Sequence, residues 1–585
     1  MTTPLHAEHP RPLLARPDWQ DLNGAWSFAV DADDVGVLDD WPIRPEMFDR
    51  AIRVPYPPES RASGVGEVQG QRVVWYHRTW HRNKRSGRRV FLHFGAIDYL
   101  ADVWVNGRHV AHHEGGQTPI RIDVTHAMAS DGRQNIVVRA QDEPADLEQP
   151  RGKQDWQDRP HVNWYERTTG IWQSVWAEEV PAIHVESLRW TPVDDAGTVD
   201  LEVRLSGVPR DAVRVGVRIF LGERVLVDDS YRVATTTMTR RLRLFDHTMD
   251  AGDWCWSPER PTLCDALVTV HNGADTDAVH SYIGLRTVGV DDRAFLLNRA
   301  PYYPRLALHQ GYWPQSHLAA PDVEALRREV ELVRSLGFNG VRVHQKVEDP
   351  RFLYWCDRLG LLVFADAAAS YRFSPRSLAR TTREWLEIVE RDASHPSVVG
   401  WFAFNESWGV PDLASSPRQV DAVRALYHLI RAHDPSRIVV GNDGWEHVCG
   451  DLIGVHDYTQ DPSELLRRYG DRATALATVT EGRPAGRKLS IAEPAPKPVL
   501  LTEFGGITLS GGTGGTWAGY GAVDSADDLL KRLAALVGGV QAAAGLAGFC
   551  YTQLVDTAQE RNGLVREDRS PKADITAIAR IIRGE

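Results

Sequence analysis

From about residue 291 onward, short apolar runs alternate with helical ones, and no other feature limits the fold so tightly. Asp322 can cap a helix whose apolar residues Leu326, Val330, Val333 and Leu336 recur at helical spacing until Gly337 ends it. A strand at 340–343 follows, then a helical stretch at 352–360 and a strand at 361–364. Helices at 382–392 and 420–433 precede apolar strands at 398–404 and 437–440. Strands at 452–455 and 497–503, a helix at 527–544 and a strand at 548–551 complete the series. With a first strand near 303–308 these make eight strand–helix units, the count and size of a TIM (β/α)8 barrel.

The chain before this point reads as all-β. Residues 26–28, 73–80, 90–94, 101–105 and 135–139 form short strands, and Asn106-Gly107 is a strong hairpin signal. The spacing predicts a jelly roll over 1–180. Within it, the polar, aromatic, Gly-punctuated stretch 150–172 reads on composition as a surface loop, with a long loop reaching toward a site elsewhere as the alternative. Apolar and polar residues alternate over 199–205 and 213–220, which predicts an immunoglobulin-like β-sandwich over 181–290, acting as a spacer. The barrel then takes 291–585.

Composition excludes several classes of function. The 67 basic and 79 acidic residues are mixed along the chain, for a net charge of −12, so no nucleic acid partner is expected. No signal peptide or long apolar run is visible, so no membrane partner is expected. The five cysteines are odd in number and scattered, which fits a reduced, cytoplasmic protein with free buried thiols. His109, His112 and His113 cluster without a zinc-like ligand set. No metal site is therefore expected, and with no phosphate loop or dinucleotide fingerprint no organic cofactor is expected either.

Two glutamates carry the chemistry. The apolar run 398–404 leads into Asn405-Glu406, and the run 498–502 ends in Glu503. In a parallel barrel both would stand at the C-terminal mouth, where active sites lie. Paired carboxyls at such a mouth suit glycoside hydrolysis, one protonating the leaving oxygen and the other attacking or activating water.

The motifs resemble glycoside hydrolase family 2 over nearly the whole chain. Residues 19–26 and 98–107 resemble the family's sugar-binding jelly roll, and Thr168-Thr-Gly-Ile-Trp172 resembles the entry to its immunoglobulin-like domain. Gly337-Phe-Asn-Gly-Val-Arg342-Val-His344, Asn405-Glu406 and Thr502-Glu503-Phe-Gly-Gly506 resemble its barrel signatures. The resemblance implies an exo-acting retaining β-glycosidase, with Glu406 as general acid/base and Glu503 as nucleophile. Glu406 is then expected to be held protonated by the Glu503 charge and partial burial. The resemblance also implies a glycoside or oligosaccharide partner and a homo-oligomer. A binding protein without activity and a transglycosylase are the other readings.

Further site candidates follow from strand ends. Asn405 suits a hydrogen bond to the sugar 2-hydroxyl. Arg342 can pair with Glu503, and His344, on the same strand face, can bond substrate or Asp366. Tyr458 can donate to Glu503, with His456 beside it. Trp445 is either a sugar platform or a packed aromatic. Gln310, Trp313, Lys346, Glu446 and His447 lie near other strand ends. Related sequences often carry a glutamate where Asp366 stands. Family β-glucuronidases carry a late Asn-x-Lys pair where this chain has Gln559-Glu560-Arg561-Asn562, although Arg561 or Lys153 can bind an acid instead. Tyr551-Thr-Gln553 replaces the tryptophan-rich pattern of β-galactosidases. A β-galactoside is the first substrate expected, with a β-glucuronide, β-galacturonide or arabinoside as alternatives.

Overall fold

The computed structural model describes residues 3–66, 71–83, 85–245, 254–484, 486–491, 496–510 and 520–585. Its first part is a sandwich of two antiparallel sheets, one of six strands and one of four. Trp26, Phe28, Tyr76, Trp80, Leu92 and Phe94 pack between them. The expected hairpin joins Leu100–Val105 to Arg108–Glu114, and Asn106 and Gly107 both take positive φ, at 52° and 76°. That is the backbone twist a two-residue hairpin needs.

A second sandwich follows, of three strands against four. Val199, Leu201, Val203 and Leu205 face Val213, Val215, Val217 and Ile219 across its core. The period-two burial arises because successive strand side chains point to opposite sheet faces. All five cysteines are free.

The third part is a parallel sheet of eight strands, Arg305–His309, Gly340–Val343, Leu362–Asp366, Val398–Phe402, Ile438–Val440, Ile453–His456, Val499–Gly505 and Leu546–Thr552. The first pairs with both the second and the eighth, so the sheet curls into a nearly closed TIM-like barrel. Glu406 follows the fourth strand and Glu503 lies in the seventh. Side chains separate by parity. Leu306, Leu308, Leu362 and Phe364 fill the interior, while Ala307, Val341, Val343 and Val363 pack outward against the helices.

The helices start earlier than periodicity alone indicates. The one expected at 382–392 runs Pro375–Asp392, and the one expected at 420–433 runs Pro417–His433. Each begins Ser-Pro. Proline is tolerated in a first turn because its missing N–H would have no intrahelical partner there. Ser374 also closes a capping box with Ser377. No described helix is long and apolar enough to cross a membrane.

Candidate active site

The site is assembled around Arg342. Its neighbours Val341 and Val343 point outward, so strand alternation turns the arginine into the barrel, where it is fully buried. Its Nη1 donates to Glu503 Oε1 at 2.7 Å, and its Nη2 donates to Asn405 Oδ1 at 2.6 Å and Asp366 Oδ2 at 3.0 Å. Asp443 Oδ2 lies 3.1 Å from the same nitrogen. Burial alone would lower the arginine's pKa, but Asp366, Asp443 and Glu503 raise it above its ordinary value.

Glu503 reaches this centre because its strand is irregular. The register slips between Val455/His456 and again between Leu501/Phe504, leaving an extra residue at Thr502. A bulge of this kind bends a strand and re-aims the next side chain. Thr502 instead donates its hydroxyl to Asp443 Oδ1 at 3.0 Å. The freed Glu503 accepts from Tyr458 as well as Arg342. Burial pushes its carboxyl up, but His456 and Arg342 overcome this and hold it down at about 2.

Glu406 sits in a different environment. It leads a turn in which Glu406 and Ser407 both take left-handed φ, 49° and 56°. A non-glycine residue there costs on the order of 1 kcal/mol or more, so the surroundings must fix it. They do. Glu406 N donates to Asp443 O at 2.9 Å, and Ser407 N donates to Asn442 Oδ1 at 3.0 Å. The Glu406 side chain keeps 17% exposure, against 6% for Glu503, so it is the carboxyl open to an incoming group.

His456 links the two acids. Its Nδ1 is 2.8 Å from Glu406 Oε1, and its Nε2 is 3.1 Å from Asp443 Oδ2 and 3.4 Å from Glu503 Oε1. Burial would lower its pKa, but Glu503, Asp443 and Glu406 raise it to about 10. Two glycines make this packing feasible. A Cβ on Gly444 would meet the His456 ring at 2.4 Å, and one on Gly454 would meet Asp443 Oδ1 at 1.6 Å.

Most of the strand-end candidates converge here. His344 lines the cleft and bonds Asp366 Oδ2 at 3.2 Å. Burial, then the neighbouring Arg342, Lys153 and His456 cations, outweigh Glu503 and hold its pKa well below the ordinary value. Asp366 lies beneath, bonded to Arg342 and His344, and burial raises it to about 7. Asn405 Nδ2 is buried without a hydrogen-bond partner among the described residues, a donor free for a ligand. Tyr458 stacks on Tyr520 at 3.5 Å. Gln310 also lines the cleft. Trp445 stands apart. It lies behind Trp408, ring centres 5.6 Å away, and is covered by Arg487, whereas Trp408 itself lines the cleft.

The 150–172 loop follows the alternative reading and is a wall of the site. Arg151 N and Gly152 N donate to Ala369 O, and Trp164 Nε1 donates to Tyr371 Oη at 2.7 Å. Lys153, Asn163 and Trp164 thereby enter the cleft from the first sandwich, facing Glu560 from beyond the eighth strand. Sequence reasoning passed over Asp443, Trp408, Tyr520 and Glu560 as site residues. Asp443 stood three residues past a strand, a readable signal. Tyr520 lies well beyond its strand, with no local signal.

Among the described residues, Glu406, His456 and Glu503 bring three ligand-type atoms within 4.8 Å of one another. The Arg342 guanidinium lies 2.7 Å from Glu503 and 3.3 Å from His456, and both imidazole nitrogens face carboxylates. This charge arrangement suits a proton-carrying set better than a cation site.

Comparison with known proteins gives a consistent picture. Residues 19–176 match the model of the glycosyl hydrolases family 2 sugar binding domain, and 288–528 match that family's TIM barrel domain. A β-glucuronidase of Canis lupus familiaris is 27% identical over 552 residues, covering 86% of this chain and 80% of that protein. A β-galactosidase of Thermoanaerobacter pseudethanolicus is 25% identical over 407 residues, covering 67% of this chain and 51% of its own length. A crystal structure of a β-galacturonidase from Eisenbergiella tayi, bound to galacturonate, shares the fold with a TM-score of 0.75 at 19% identity, covering 97% of each chain.

Proposed function

The chain belongs to glycoside hydrolase family 2 and is a β-glycosidase, and from that premise we propose an exo-acting retaining enzyme that works by double displacement. Glu503 attacks the anomeric carbon as the bond to the aglycone breaks, and the proton of Glu406 goes to the departing oxygen. Water then attacks the glycosyl ester, Glu406 takes its proton, and the Glu503 carboxylate is restored. Asn405 Nδ2 serves the sugar 2-hydroxyl, a contact that strengthens in the transition state.

The observation that carries this reading is the carboxyl pair. An oxygen of Glu406 and an oxygen of Glu503 lie within 4.8 Å. That leaves room for direct attack, whereas inverting enzymes separate their carboxyls by about 6.5–9.5 Å to admit a water. Arg342, His456 and Tyr458 supply the fixed charge and hydrogen bonds an ionised nucleophile needs.

Incubation with activated 2-deoxy-2-fluoroglycosides followed by peptide mapping tests the assignment. A glycosyl adduct on Glu503 is expected, and an adduct on another residue would remove it as nucleophile. Proton NMR of the first-formed sugar should show the β anomer, and the α anomer would end the retaining reading. The related proteins act on both neutral and acidic sugars. A β-galactoside ranks first here, ahead of a β-glucuronide, β-galacturonide or arabinoside.

A further inference from the structure

We propose that Lys153 and Glu560 form one selector at the end of the sugar pocket, which takes a hydroxyl of a neutral sugar and rejects a uronate carboxylate. This rests on the reading of the cleft as a retaining β-glycosidase site and names the substrate class of that site.

The two residues come from different parts of the chain, a connection of the first sandwich and the segment beyond the eighth barrel strand. Both line the cleft that holds Glu406 and Glu503, and their side chains are only 6% and 5% exposed. The closest approach, Lys153 Nζ to Glu560 Oε2, is 4.0 Å. That is longer than a hydrogen bond, whose charge-assisted N–O form runs to about 2.9 Å. It is the span a single oxygen bridges when it accepts from one group and donates to the other, at about 2.8 Å on each side.

Neither partner is free to close the gap without loss. Glu560 Oε2 accepts from the Tyr165 hydroxyl, and Oε1 accepts from Asn562 Nδ2 at 3.3 Å. Lys153 is laid along the Tyr165 ring, its Nζ 5.3 Å from the ring centre. Tyr165 thus holds both members. Among the described residues Glu560 is the one carboxylate within 4.0 Å of the lysine ammonium.

The chemistry of the bridge selects the ligand. A hydroxyl both accepts and donates, so it satisfies the ammonium and the carboxylate together. An ionised carboxylate only accepts. Placed against Lys153 it would also stand against Glu560, and two buried carboxylates sharing a site resist joint ionisation.

The test is kinetic, on the full chain. Matched aryl glycosides, β-galactoside with β-galacturonide and β-glucoside with β-glucuronide, are compared in wild type, Glu560→Gln and Lys153→Met. The wild type should favour the neutral member of its preferred pair by at least about tenfold in kcat/KM. Glu560→Gln keeps an oxygen for Tyr165 but removes the charge, and should narrow that ratio by about tenfold. Lys153→Met should lower neutral-glycoside kcat/KM by a similar factor.

A wild type that prefers the uronide, or a ratio unmoved by Glu560→Gln, overturns the selector while leaving the glycosidase reading intact. Absence of turnover on every glycoside, with no adduct on Glu503, overturns both. If Glu560→Gln does not fold, calorimetry on Glu503→Gln decides. Galactose binding more tightly than galacturonate supports the selector, and the reverse order overturns it.

Discussion

The floor and the outer wall of the cleft each present a buried carboxylate, and the two are treated in opposite ways. On the floor, burial of Glu503 is overcome by His456 and Arg342, and its carboxyl is held down at about 2. On the wall, burial of Glu560 prevails over Lys153, and its carboxyl is pushed up. The difference lies in the number of cations, with His456 as well as Arg342 beside Glu503, and in their distance. Arg342 touches Glu503 at 2.7 Å, whereas Lys153 stays 4.0 Å from Glu560. Floor residues stand on strands of one barrel sheet, whose pairing fixes their spacing, while the wall is where two long connections meet. A floor of this kind suits chemistry common to many substrates, and a wall of this kind suits choice among them.

The largest effect should come from the floor. Glu503→Gln should lower kcat/KM by roughly 10⁴-fold or more on every glycoside the wild type cleaves. A loss confined to one sugar would mean the floor is not generic. Glu406→Ala should come next, at about 10²–10⁴-fold for poor leaving groups. Activated aryl glycosides should suffer less, and azide should restore turnover. Equal losses on good and poor leaving groups, with no azide rescue, would end its role as acid/base.

The floor's charge balance predicts a pH signature. Glu503 is lowered from 4.5, so the stability from its contacts is present above 4.5 and lost as pH falls toward about 2. His456 is raised from 6.5, so its share is complete below 6.5 and lost as pH rises through about 10. His456→Gln removes one cation and lets burial act on Glu503. The acid limb of kcat/KM should therefore move to higher pH, and the variant's stability deficit should be larger at pH 7 than above pH 10. An acid limb that stays in place would show that Arg342 alone holds the nucleophile.

The same contrast explains what the sequence discloses. The glutamates, Arg342 and Tyr458 sit at strand ends, and strand ends follow from short-range apolar patterning. The sandwich strands around Asn106-Gly107 were legible for the same reason. Trp164, Lys153 and Glu560 depend on contacts between residues hundreds of positions apart, such as Gln559 Nε2 donating to Trp164 O. Polar composition made that stretch look solvated because its partners lie in another part of the chain. The helix starts at Pro375 and Pro417 escaped for a smaller reason, since their first turns carry few apolar residues.

A wall substitution should act on binding more than on chemistry. Trp164→Ala removes a ring that lines the cleft and packs 5.6 Å from Trp408. KM should rise by about tenfold with kcat changed far less, because this contact serves ground state and transition state alike. A fall in kcat with constant KM would assign the loop a part in the reaction itself.

The smallest effect tests where the wall ends. Trp445 has the look of a sugar platform in sequence, yet its ring faces Trp408 and lies under the Arg487 guanidinium, 4.1 Å from the ring centre. Both contacts survive replacement by another aromatic. Trp445→Phe should therefore leave kcat/KM within about twofold, whereas Trp408→Ala, one ring nearer the glutamates, should cost severalfold. Longer oligosaccharides make the comparison sharper than aryl glycosides, because they extend past the first sugar. If Trp445→Phe matches the Trp408→Ala loss only on such substrates, the cleft continues beneath Arg487, and the wall includes residues the barrel itself provides.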